Sequence, residues 1–67
     1  MNEETLFKLV EQINRISETL YGTKPRIETI TVSDDKNSVT FALAIDDKEK
    51  QMIFDLTDSN ALTYLGE

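Results

Sequence analysis

The hydrophobic period of this chain changes once, at the segment Gly22-Thr23-Lys24-Pro25. Before it, Leu6, Leu9, Val10, Ile13, Ile16, Leu20 and Tyr21 recur every three or four residues, the period of a helix with one apolar stripe. After it, apolar and polar residues alternate with period two, the period of a half-buried strand. One change of period confines the chain to a single long amphipathic helix followed by sheet.

The spacing predicts the helix over residues 2–21. Asn2 is suited to cap its N-terminus, and Glu3 and Glu4 stand in the first turn, where the helix dipole favours negative charge. Glu4 with Lys8 and Glu11 with Arg15 are four residues apart in the favourable order on the polar side, and Phe7 falls beside the stripe. Gly22 ends the helix and Pro25 prevents its continuation.

Three strands are predicted, over 26–33, 38–46 and 51–57, rich in Ile, Val, Thr and Phe. Matching Val32 to Val39 and Ile30 to Phe41 leaves Asp34 to Asn37 as the first turn. Matching Ile45 to Met52, Leu43 to Phe54 and Phe41 to Leu56 leaves Asp47 to Lys50 as the second. The tail carries two alternatives. Asp58 or Ser59 would cap a short C-terminal helix ending before Gly66, the preferred reading, or Ala61 to Leu65 would form a fourth strand. The fold class expected is therefore α+β: one N-terminal helix packed on a three-stranded antiparallel meander, with a short C-terminal helix or a fourth strand, in one small domain spanning 1–67.

This register sorts the sheet into two unlike faces. Ile30, Val32, Val39, Phe41, Leu43, Ile45, Met52, Phe54 and Leu56 form a bulky face that the helix stripe matches. The other carries Ile27, Thr29, Thr31, Thr40, Ala42, Ala44, Ile53 and Asp55, with Ile27, Ala44 and Ile53 expected in one row and Thr29, Ala42 and Asp55 in the next. In a chain that is 30% charged, a small and nearly uncharged face is the most informative departure. Solvent, a returning C-terminal segment or a second protein layer would each account for it. Ile27, Thr29, Thr31, Thr40, Ala42, Ala44 and Ile53 are the candidate interface residues.

Residues that would carry chemistry are sparse. The chain has neither cysteine nor histidine and only two glycines, which leaves no thiolate or imidazole ligand, no common nucleophile–base set and no phosphate-cradling loop. The pairs Asp34-Asp35 and Asp46-Asp47 sit in or beside hairpin turns at opposite ends of the sheet, and neither has calcium-loop spacing. No catalytic, cofactor or metal residue is expected, and the chain reads as non-enzymatic.

A net charge of −6 argues against direct binding to nucleic acid or to an anionic membrane, and favours encounter with a basic protein surface. With no apolar stretch of membrane-spanning length and no signal-peptide pattern at the N-terminus, a cytoplasmic location is expected. The first functional expectation is a small acidic protein-interaction module, in the format of inhibitors or modulators of host proteins carried by phages and mobile elements. In a sharper form, its carboxylates (Glu4, Glu11, Glu18 and the turn aspartates) would occupy a nucleic-acid-binding site of the target, although Lys8 and Arg15 interrupt that row. The second is a self-associating structural or accessory protein, a homodimer packed sheet to sheet or edge to edge.

Overall fold

The computed structural model describes residues 2–58 and 62–66. One helix, α1 (Glu3–Tyr21), is followed by four strands: β1 (Arg26–Val32), β2 (Ser38–Ile45), β3 (Lys48–Asp55) and β4 (Thr63–Gly66). The strands form one antiparallel sheet in the order β1-β2-β3-β4. The architecture is α+β, with the fourth strand in place of the short C-terminal helix. Among the described residues no helix is long and apolar enough to cross a membrane.

The helix begins and ends as its sequence dictates. Asn2 accepts a hydrogen bond from the Thr5 backbone N–H at 2.8 Å, and Gly22 takes the left-handed conformation at φ 74° while donating its N–H to the Glu18 carbonyl. Glu4 and Lys8 pair at 3.7 Å, whereas Glu11 and Arg15 do not come within ion-pair distance. Leu9 and Ile13 are fully buried, with Leu6, Ile16 and Tyr21 packed around the same core. Leu20, expected in the stripe, is 61% exposed. The last fully buried position of the helix is instead Ser17, which donates its Oγ–H to the Thr23 carbonyl at 2.5 Å. That bond satisfies a buried hydroxyl and ties the final turns of α1 to the segment leading into β1.

The first hairpin has the expected register, Val32 opposite Val39 and Ile30 opposite Phe41. Its turn is held by Asp35, whose carboxylate accepts from the Ser33 hydroxyl at 2.6 Å and from the Asn37 N–H at 3.0 Å. The second hairpin differs from expectation by four residues. Phe41 faces Met52, Val39 faces Phe54 and Ile45 faces Lys48, so the turn is the two residues Asp46-Asp47 and not the four residues 47–50. Both aspartates are left-handed, at φ 52° and 65°, as the tightest hairpin connection requires. An even shift preserves the faces, so Met52 and Phe54 still enter the core. Lys48 and Lys50 replace the expected apolar partners of Ile45 and Leu43, and Lys50 sets its ammonium 4.9 Å from the centre of the Tyr21 ring.

The tail is a strand because β3 and the core both offer it a place. Thr63 and Tyr64 pair with Asp55 and Phe54, and the Tyr64 ring lies 5.3 Å from that of Phe54. Phe54 in turn meets Phe41 edge to face at 6.0 Å. The cap position Ser59 and the residues Asn60 and Ala61 lie outside the described residues.

Candidate interaction surface

The helix covers one face of the sheet, and the register places the candidate residues on the other. Thr29, Ala42 and Gln51 form one row across β1, β2 and β3; Thr31, Thr40 and Ile53 form the next. Arg26, Ala44 and Glu49 form the row nearest the Asp46-Asp47 turn, and Ser38, Asp55 and Thr63 the row at the opposite end. Six of the seven candidates therefore share a face: Thr29, Thr31, Thr40, Ala42, Ala44 and Ile53. The expected rows are redrawn, because Ile53 stands beside Thr40 and not Ala44, and Asp55 beside Ser38 and not Ala42.

Ile27 is the exception. The β1–β2 pairing slips between Ile27 and Thr29, leaving Glu28 as an extra residue. This bulge turns Ile27 to the helix side, opposite Leu43, where it packs against the core. The phase of the sequence carried the signal, since Ile27 is out of step with Ile30 and Val32 in a strand that otherwise alternates.

The uncovered face is shallow because its side chains are short. A depression open to solvent lies over Ala42, edged by Glu28, Thr29, Glu49 and Gln51. A second, over Ala44, is edged by Pro25, Arg26, Asp46 and Asp47. Thr29 and Thr31 are exposed; Thr40, Ala42 and Ile53 are half-buried; Ala44 is buried among its neighbours. Asp55, at the border, is held below the usual carboxylate range by the hydrogen bond that the Thr57 backbone N–H donates at 2.8 Å, with help from the Thr57 hydroxyl. Asp35 is lowered in the same sense, first by the Ser33 hydroxyl and then by the Asn37 N–H. Both carboxylates stay charged at neutral pH, so the face presents a flat small-residue floor with a mixed-charge border.

The edges of the sheet are unlike each other. Beyond the reach of β4, the free margin of β3 carries Lys48, Glu49, Lys50 and Gln51, the kind of charged margin that discourages pairing. On β1 no charge occurs between Glu28 and Asp34. Ile30 and Val32 lie there on the helix side, yet are 41% and 37% exposed. Sequence reasoning placed Ile30 and Val32 on the bulky face beneath the helix and so missed this uncovered apolar pair.

No family model matches this sequence, and neither a curated protein nor a solved structure shows significant similarity to it.

Proposed function

We propose that this chain is a small acidic, non-enzymatic protein-interaction module that docks a partner protein on the uncovered face of its sheet. The observation that supports this most is the contrast in side-chain size across one strand. In β2, Val39, Phe41 and Leu43 are sealed beneath the helix, while Thr40, Ala42 and Ala44 between them leave a floor that a second layer can approach closely. The charge of −6 favours a partner whose contacting surface is basic. Binding by such a module would modulate its target through occlusion, the mode of action expected of an inhibitor of the phage or mobile-element type.

The test is site-specific photocrosslinking in the source cells, with the photoreactive residue at Thr40 on the open face or at Glu11 on the helix. A protein crosslinked through Thr40, and lost when Ala42→Arg is added, supports the reading. Crosslinks only through Glu11 would transfer function to the acidic side of the helix, in the manner of a protein filling a nucleic-acid-binding site. Crosslinks from Thr40 only to other copies of the chain would favour the homodimeric reading.

A further inference from the structure

We propose that the open edge of β1 pairs antiparallel with β1 of a second copy, about a two-fold axis at Ile30, joining two four-stranded sheets into one of eight. This goes beyond the docking role above, because edge pairing leaves the uncovered face free.

The backbone offers the contact in the correct phase. Ser33 donates its N–H to the Ser38 carbonyl at 2.9 Å, and antiparallel strands alternate between pairs that exchange hydrogen bonds and pairs that do not. With Thr31 opposite Thr40 and Thr29 opposite Ala42, it is therefore Thr29 and Thr31 that bond inward to β2. The N–H and C=O groups of Ile30 and Val32 point to the open edge, an unpaired template for another strand. Their side chains are the two that the helix leaves exposed on that strand. A second strand laid there would satisfy the backbone groups and cover the apolar pair together.

Charge identifies the occupant as a second copy. Residues 24–36 hold three cations, Lys24, Arg26 and Lys36, against three anions, Glu28, Asp34 and Asp35, leaving four against ten elsewhere in the chain. The like-charge repulsion that opposes self-association is weakest at this edge. The charges are also ordered, with Lys24 and Arg26 at one end and Asp34 and Asp35 at the other. Antiparallel pairing brings the basic end of each copy alongside the acidic end of the other. Centring on Ile30 sets the two copies of that residue side by side, so the most exposed apolar side chain of this edge is covered by its own image. An isologous contact of this kind closes as a dimer and does not propagate.

Sedimentation and light scattering over a concentration series test the proposal on the intact chain. The expected result is a reversible rise from 7.7 kDa toward twice that mass. Ile30→Lys should raise the dimer dissociation constant roughly 10- to 100-fold, because the substitution is felt twice at the axis. Arg26→Asp and Asp34→Arg should each weaken the dimer, because each spoils the match of basic and acidic ends. Amide exchange on the unmodified protein supplies a readout independent of any variant: the Ile30 and Val32 amides should gain protection as concentration rises. A chain that stays monomeric at millimolar concentration overturns the proposal. So does a dimer that survives Ile30→Lys, whichever other substitution removes it, and so does a dimer in which those two amides stay unprotected.

Discussion

The two faces of the sheet share one backbone and obey different rules. On the helix side, Phe41, Phe54, Leu43, Met52 and Val39 interlock with Leu9 and Ile13 and lose all contact with solvent. On the other side, Thr and Ala stand at alternate positions of the same strands, and among the described residues no layer covers them. The first face supplies the apolar burial that holds together a chain with no cysteine for a disulfide. The second contributes strand propensity and little burial, so its composition is free to serve contact with another molecule. A face that stability does not specify is where function has room to be written.

The strongest way to break this comparison is to empty the covered face. Phe41→Ala should cost about 3–5 kcal/mol, enough to leave much of so small a domain unfolded in a thermal or urea melt. Ser17→Ala tests whether the polar contact at the core's border matters as much as its apolar neighbours. It should cost about 1–2 kcal/mol by stripping the Thr23 carbonyl of its buried donor, and a loss below a few tenths would show that solvent replaces the hydroxyl. The turn offers a gain. Asp46→Asn combined with Asp47→Gly places the residues that left-handed geometry prefers at φ 52° and 65°, and should add about 0.5–1 kcal/mol. In that stabilised background Thr31→Ala, on the open face, should change stability by no more than about 0.5 kcal/mol. A larger loss would mean that something already covers this face.

The smallest expected effect is that of acid. Asp35 and Asp55 titrate lower in the folded chain than in the unfolded one, so the unfolded state takes up their protons first as pH falls. Their contribution is complete above the ordinary carboxylate pKa of about 3.9 and is lost as pH drops through the folded values. Melts should be flat with respect to these groups at neutral pH and decline below about pH 4. Asp35→Asn and Asp55→Asn should each flatten that decline.

The helix and first hairpin were legible because several local signals agreed. Asn2 and Gly22 bracket one unbroken stripe, and the polar run Asp34 to Asn37 separates two alternating segments that match in only one way. The second hairpin misled because apolar residues were assumed to face apolar residues. Ile45 and Leu43 instead face Lys48 and Lys50, long side chains that cover an apolar end with their stems and keep their charge in water. The turn itself carried no glycine, so two successive left-handed aspartates gave no sign of themselves. Ser17 went unremarked because a serine within a helical stripe reads as a gap, although its place four residues after Ile13 points it inward. In the tail, cap chemistry and Gly66 favoured the helix slightly over strand composition, and contact with Phe54 decides it for the strand, information held outside the segment.

The unbroken order of the strands has a consequence for speed. Each strand lies beside the one that precedes it in the chain, so the sheet assembles by closing short loops, none of which waits for a distant segment. Chains whose contacts are this local reach the native state quickly and spend little time with bare strands. A small domain with an apolar pair exposed at its margin benefits from that brevity, because its hazard from wrong partners grows with the time spent half-assembled.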